Sequence, residues 1–131
     1  MDMQIYYFSR TGRSKKIAEE LAVRFGVEVR KIEDHRDWSG KINYMKAGAM
    51  AMSGKTISVT YEKPEATGDI AVVFPLWAGE MPPGVKTFVE EVGKGKITAI
   101  VTSLGSTLKK RKDFKKVIDL VGKEITMPEN L

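Results

Sequence analysis

The chain has 131 residues, a formal net charge of +5 and an ordinary globular composition, which together predict one basic domain with a core of its own. It contains no cysteine, which excludes disulfides and thiolate metal sites. Its single histidine, His35, lies in a charged stretch typical of solvated surface and argues against a histidine-rich metal site or a Ser-His-Asp triad. The first residues already have a strand pattern, and no apolar run is long enough to cross a bilayer, so we expect a cytoplasmic protein.

The first part of the chain predicts a strand, a helix and an edge strand. Residues 3–8 are nearly continuous in apolar side chains, as in a strand buried on both faces. Apolar side chains at helical spacing then predict a helix over 13–25, which Gly26 is placed to end. Alternation over 27–32 indicates a strand that is exposed on one face, at the edge of a sheet.

The middle of the chain has a weaker pattern. Residues 42–52 predict a helix with Met45, Ala49 and Met52 on one face. We interpret these methionines as irregular core filling rather than as a binding surface. Residues 56–62 alternate, which is typical of either a short edge strand or an extended connection.

Alternating strand and helix patterns return after residue 68. Buried strands are predicted over 70–75 and 97–102, and a short last strand over 124–127. A helix is predicted over 82–92, where two prolines mark the start and a glycine marks the end. Apolar side chains at helical spacing, between lysines that face water, predict a further helix over 110–121.

This order of elements predicts an α/β fold, a three-layer doubly wound parallel sheet with helices on both faces. In such sheets ligands bind beyond the carboxyl ends of the strands. Three loops leave carboxyl ends, after Phe8, Phe74 and Thr102. If the strand over 3–8 lies beside the strand over 70–75, one ligand can contact all three loops.

The loops have the chemistry of a ligand site. Residues 9–14 combine a helix N-terminus, a glycine, hydroxyl groups and two arginines, which suits a phosphate, although a plain turn with a hydroxyl N-cap has the same composition. The loop over 75–83 carries Trp77, which either stacks on a flat aromatic ligand or covers a hydrophobic edge of the fold. The loop over 102–106 offers small side chains and backbone donors.

Three segments together resemble the flavodoxin family. Residues 8–20 (FSRTGRSKKIAEE) resemble its phosphate-binding loop, whose pattern is Ser/Thr-x-Thr-Gly-x-Ser/Thr. Residues 69–91 resemble its second segment, an apolar strand that ends in Pro-x-Trp and leads through a small-residue loop and prolines into a helix. Residues 102–106 are similar to the third flavin loop, with Leu104 where a glycine is common. The resemblance implies non-covalently bound FMN, strand order 2-1-3-4-5 and a role in electron transfer.

Carried over residue by residue, the resemblance implies a set of cofactor-binding residues, with no catalytic residue and no metal. The FMN phosphate would be held by Ser9, Arg10, Thr11, Gly12, Arg13 and Ser14. The isoalloxazine ring would be flanked on one side by Leu76, Trp77, Ala78 and Gly79, and Pro75 and Glu80 at the ends of this segment belong to the same cofactor-binding set. Its other side would be lined by Ser103, Leu104, Gly105 and Ser106.

The chain departs from the family in two respects. It lacks the usual final helix, which predicts an uncovered apolar surface and, as our hypothesis, a homodimer through that surface. It is also basic, whereas electron-carrying members are typically acidic, so the expected redox partner protein stays unidentified.

Two alternative functions stay open. The first is an FMN-dependent NAD(P)H:quinone or small-molecule reductase, which would use the same site. The second is a flavin-free module that binds an acidic partner or RNA through the basic run from Lys109 to Lys116. Outside this second alternative, we expect neither a membrane nor a nucleic acid as a partner.

Overall fold

The structure, a computed structural model, describes residues 3–54, 56–129 and 131. Its strands are β1 (Met3–Tyr7), β2 (Val29–Lys31), β3 (Asp69–Pro75), β4 (Ile97–Ser103) and β5 (Lys116–Val121). Its helices are α1 (Arg13–Phe25), α2 (Lys41–Ser53) and α3 (Pro83–Val92), and a short 3-10 helix follows α3 at Lys94–Lys96. The strands form one parallel sheet in the order β2-β1-β3-β4-β5, which confirms the predicted fold class and strand order.

One face of the sheet is covered by α1. This helix begins after Gly12, whose φ is 96°, and ends at Gly26, whose φ is 67°. The predicted span of 13–25 and its end at Gly26 are confirmed. Its buried side chains pack against alternate residues of the central strands: Ile17, Ala18, Leu21 and Ala22 of the helix against Ile5, Tyr7, Ala71, Val73 and Ile100 of the sheet. This packing fixes the N-terminus of α1 directly beyond the carboxyl end of β1.

The opposite face of the sheet carries the larger part of the core, under α3. Here Phe88 packs against the ring of Tyr6 with the ring centroids 4.7 Å apart, and Val85 and Val89 continue the apolar side of the helix. Pro83 lies in the first turn of α3, where a backbone N–H has no acceptor within the helix, so the N–H that proline lacks costs no hydrogen bond. Among the described residues, no helix is long and apolar enough to cross a membrane.

The predicted helix over 110–121 is wrong, because Lys116–Val121 forms the edge strand β5, parallel to β4. Parallel neighbours need a connection of about a dozen residues or more, and residues 104–115 provide it without a helix. Clustered lysines repel one another at helical spacing, and Asp113, with φ 74°, interrupts any helical continuation. The predicted strand over 124–127 is also wrong, since those residues form no regular structure.

Extended segments cover β5 on both of its faces. On the α3 side, Leu108 is buried in the core, and Phe114 packs beside it. On the α1 side no helix follows β5 in residues 122–129 and 131, and Ile125, Met127 and Leu131 pack against the core instead. The apolar surface that motivated the homodimer is therefore partly covered by the chain itself, and the homodimer stays a prediction.

The middle of the chain differs from the prediction in one respect. The predicted helix over 42–52 is confirmed as α2, and residues 56–62 are an extended connection with a single bridge between Glu33 and Thr60. The interpretation of the methionines as core filling is wrong for Met45 and Met52, which are exposed. The fully buried side chains of α2 are instead the small ones, Ala47 and Ala51, and the partly buried Met50 packs against the same core.

The extended connection is held to α3 by Tyr61, which provides a test of this packing. Its ring contacts that of Phe88 at 4.6 Å, and its hydroxyl donates to Glu91 Oε1 at 2.6 Å. Burial, and then the neighbouring Glu91 carboxylate, raises the pKa of Tyr61 to about 12. A raised folded-state pKa means that this contribution to stability is complete below pH 10 and is lost as the pH rises from 10 to 12.

Tyrosinate absorbs at about 295 nm. We therefore expect the difference in absorbance at this wavelength between the wild type and Tyr61→Phe to titrate with a midpoint near 12. Subtracting the variant removes the other tyrosines, including Tyr6, whose pKa is also raised by burial. A midpoint at the ordinary value of 10.0 would show that the connection does not pack on α3.

Candidate functional site

The loops that follow β1, β3 and β4 converge on one cavity of about 620 Å³, beyond the carboxyl ends of these strands. This volume is within the usual range for small-molecule sites. Most of the predicted residues line it: Arg10, Thr11, Arg13, Leu76, Trp77, Ala78, Gly79, Ser103, Leu104, Gly105 and Ser106. The others, Ser9, Gly12, Ser14, Pro75 and Glu80, do not contribute to the lining.

The loop between β1 and α1 presents a helix N-terminus to the cavity. The N-cap residue of α1 is Gly12, which has no side-chain cap hydrogen bond, so the helix does not begin with the hydroxyl N-cap that a plain turn would use. Ser9 Oγ accepts from the Gly12 N–H at 2.9 Å and thereby shapes the loop. Ser14 is buried, with its Oγ 2.9 Å from Thr102 Oγ1, and ties the loop to β4. Both serines therefore support the loop.

The charge at this end of the cavity is positive. Arg10 and Arg13 line the cavity, and its lining contains no aspartate or glutamate among the residues that the structure describes. The guanidinium of Arg10 lies 4.6 Å from the ring centroid of Tyr44, and Arg13 donates to the Gly122 carbonyl at 2.5 Å. Two oriented guanidinium groups beside the positive end of a helix favour an anionic ligand group.

The loop after β3 closes in a two-residue turn. Trp77 and Glu80 exchange backbone hydrogen bonds of 2.9 and 3.0 Å, and the central residues Ala78 and Gly79 have φ values of 54° and 81°. Positive φ is easy for Gly79 and strained for Ala78. The Gly79 carbonyl accepts from the Lys109 N–H at 3.1 Å, which fixes this loop against the connection that follows β4.

Trp77 reaches the cavity from a packed position. Its side chain is only 7% exposed, and its ring meets those of Trp38 and Phe8 edge-on, at centroid distances of 4.9 and 5.5 Å. Such pairs add to the stability gained from burial. Trp77 is therefore part of the core and of the cavity wall at once. Its burial confirms that it covers a hydrophobic edge of the fold, and its stacking on a flat ligand stays a prediction.

Trp38, which packs against Trp77 in the cavity wall, is held in place by one buried hydrogen bond. Trp38 Nε1 donates to Asp34 Oδ2 at 2.6 Å, and both side chains are buried. The other carboxylate oxygen accepts from the Arg36 N–H at 3.1 Å.

We expect Asp34→Ala to lower the free energy of unfolding by about 1–3 kcal/mol, because it leaves the Trp38 N–H buried without an acceptor. Asp34→Asn keeps an acceptor oxygen and should be affected less. Urea unfolding of both variants measures the two changes in the free energy of unfolding. Equal stability of the wild type and the alanine variant would contradict the role of this bond.

The loop after β4 supplies the remaining wall. Ser106 donates its N–H to Ser103 Oγ at 3.2 Å, and this closes the loop upon itself. Leu104 projects into solvent and is 71% exposed. Ser103, Gly105 and Ser106 have small side chains, so their backbone lies close to the cavity.

Sequence reasoning missed the fourth wall, which is α2. Tyr44, Met45, Ala47 and Gly48 line the cavity from this helix. A Cβ atom on Gly48 would lie 3.9 Å from Ala78 Cβ, so the helix passes close to the turn after β3. The run of alanines and glycine in α2 is the signal of this close approach.

A larger groove of about 800 Å³ lies at the opposite, amino-terminal edge of the sheet. Lysines and acidic residues share its lining, and Lys115 Nζ already pairs with Asp69 Oδ1 at 2.6 Å. Its charges are mutually compensated, and it lies away from the loops at the carboxyl ends of the strands. We therefore place the candidate site in the smaller cavity.

Comparisons with known proteins bear on the fold. No protein-family model matches the chain. An uncharacterized protein of Archaeoglobus fulgidus is 31% identical over 104 residues, which cover 79% of this chain. The chain spans 66% of the length of that curated relative.

Several solved structures are similar over nearly the whole chain. A flavoprotein from Lactobacillus acidophilus, solved in complex with FMN, has a TM-score of 0.71 at 17% identity and covers 92% of this chain and 91% of its own. A protein from Bacteroides uniformis assigned as a flavoprotein has a TM-score of 0.74 at 19% identity, with coverage of 94% and 92%. A third, from Bacteroides eggerthii, has a TM-score of 0.72 at 21% identity, with coverage of 91% and 87%. At sequence identities of 17%, 19% and 21%, this structural similarity establishes the fold alone.

Proposed function

Because the chain has the flavodoxin-like fold, we propose that it binds FMN non-covalently in the cavity beyond β1, β3 and β4 and uses it to transfer electrons. The observation that carries the proposal is the lining of that cavity: the described residues that form it include two guanidinium groups beside the N-terminus of α1, apolar side chains of the loop after β3 and of α2, and no carboxylate. A dianionic phosphate joined to a flat, mostly apolar ring system matches these two kinds of lining. A structural neighbour has been solved with FMN bound, which supports the choice of cofactor.

The residues present fit FMN in charge and shape. Arg10 and Arg13, with the N-terminal N–H groups of α1, would hold the phosphate. The ring would lie between the turn after β3 and the loop after β4, against Leu76 and the exposed edge of Trp77. When bound, FMN would supply the redox chemistry, and the protein would supply position, dry surroundings and electrostatics.

The chain's contribution to tuning the cofactor is electrostatic. Lys109 lies against the turn after β3, since a Cβ atom on Gly79 would be 2.7 Å from its Cε. Positive charge near the ring would favour electron-rich, anionic forms of the cofactor over neutral ones.

The cofactor proposal is tested by the purified protein itself. We expect it to be yellow, to release FMN into the supernatant on acid precipitation, and to bind one FMN per chain after removal of the cofactor. A colourless protein that takes up no FMN would overturn the proposal and would favour the flavin-free alternative.

The electron-transfer role needs a separate experiment on the FMN-loaded protein. We expect rapid oxidation of the reduced protein by one-electron carriers and no steady consumption of NADH or NADPH when a quinone is added. Sustained turnover of nicotinamide with quinone would instead identify the protein as a reductase.

A further inference from the structure

The solvent-facing side of α2 carries an apolar stripe. Its members, Ile42, Met45, Ala49 and Met52, follow one another at intervals of three, four and three residues. The three large side chains are 73%, 68% and 65% exposed, in chain order. Ala47 and Ala51, on the other side of the helix, are the residues buried against the protein body.

Apart from Met50, which packs against the core, this arrangement is the reverse of an ordinary surface helix, which turns its larger apolar side chains toward the core. Single exposed apolar side chains are common, but contiguous ones mark an interaction surface. Intervals of three and four residues are also the spacing with which a helix packs against another helix. The stripe therefore has the form of an interface on the outside of α2.

The charges around the stripe favour an acidic partner over a second copy of this chain. At about 100° per residue, Lys41 and Lys46 lie on its two sides, and α2 contains no acidic residue. Two copies packed through this helix would bring lysine against lysine in the border of the interface. A partner with an apolar centre and a carboxylate rim would complement both features.

The stripe is continuous with the mouth of the cavity. Met45 belongs to the stripe and also lines the cavity, and the exposed Leu104 stands at the facing wall. Lys109, which lies against the turn after β3, adds a further positive charge to those of Lys41 and Lys46. A protein docked on the stripe would therefore lie beside whatever the cavity holds.

From these observations we propose that the α2 stripe is the docking surface for an acidic electron-carrier protein. The identity of the partner as an electron carrier rests on the proposed function, whereas the apolar and basic character of the surface does not. Docking of this kind is guided by charge and is weakened by salt, while the apolar contacts set the lifetime of the complex.

The test uses the cofactor-free full chain, labelled for NMR, and a plant-type ferredoxin of net negative charge as the probe. We expect shift changes and line broadening that concentrate in residues 41–53 and 104–110 and disappear in about 0.5 M NaCl. Ile42→Gln with Met52→Gln should weaken the affinity about tenfold, and Lys41→Glu with Lys46→Glu at least as much. None of these four residues lines the cavity, so failure of this test is independent of FMN binding.

Matched controls use equally exposed residues elsewhere. Val23→Gln removes an apolar side chain that is 84% exposed on α1, and Lys63→Glu with Lys96→Glu reverses two charges in the amino-terminal groove; neither should change the affinity. Shift changes centred on that groove, or tighter binding to a cytochrome c of net positive charge, would overturn the proposal. So would concentration-dependent shifts of α2 without ferredoxin, or binding of α2 to vesicles of anionic lipid, since these would assign the stripe to a second copy or to a membrane surface.

Discussion

Replacing both cavity arginines, Arg10→Ala with Arg13→Ala, is expected to weaken FMN binding by roughly 100-fold or more while leaving riboflavin binding nearly unchanged. A hydrogen bond to a charged group contributes about 1.5–3 kcal/mol, and about 1.4 kcal/mol corresponds to a tenfold change in affinity. The two ligands differ by the phosphate alone, so riboflavin reports on the ring site and on the integrity of the fold. Calorimetric titration of each ligand measures both affinities.

The control for net charge is Lys15→Ala with Lys16→Ala. These exposed lysines lie in the same first turns of α1 but do not line the cavity. We expect their removal to weaken FMN binding only slightly, through the general field of the protein. An unchanged FMN affinity in the double arginine variant, or an equal loss in the lysine variant, would show that the phosphate does not lie at Arg10 and Arg13.

The largest expected effect on stability comes from a residue outside any helix or strand. Leu108 is 2% exposed and packs in the core on the α3 side of the sheet, so Leu108→Ala should lower the free energy of unfolding by about 2–5 kcal/mol. Leu104→Ala, in the same connection but exposed, should change it by less than about 0.5 kcal/mol. Urea unfolding of the cofactor-free variants compares the two.

This pair of variants tests whether residues 104–115 cover the sheet in place of a helix. Leu108 is held in position by its N–H, which donates to Asp119 Oδ1 at 3.2 Å, and Asp119 in turn pairs with Arg111 at 2.7 Å. Similar, small losses in both variants would mean that the connection is loosely attached and that the α3 side of β5 lies open.

Elements defined by local signals could be predicted from the sequence. The bounds of α1 depend on Gly12 and Gly26, which act within one turn of the helix, and the central strands are apolar on both faces. The three loops at the carboxyl ends follow from these elements and the strand order. That is why most of the predicted cavity residues lie on one cavity.

Elements defined by distant contacts could not be predicted. Phe114, Val117, Ile118 and Val121 fit helical spacing, yet Val117, Ile118 and Leu120 also fit a strand that is covered on both faces. Pairing with the edge of β4 decides between them, and nothing near them in sequence reports it. The part of the cavity wall formed by α2 depends in the same way on contact between Gly48 and the distant turn at Ala78.

A crystal structure of the protein with FMN would locate the cofactor and its phosphate. We expect one FMN in the cavity beyond β1, β3 and β4, with its phosphate in hydrogen-bonding reach of Arg10, Arg13 and the first N–H groups of α1, and its ring between the turn at Ala78 and the loop at Leu104. FMN bound in the amino-terminal groove, or in the cavity with its phosphate directed away from α1, would contradict this expectation.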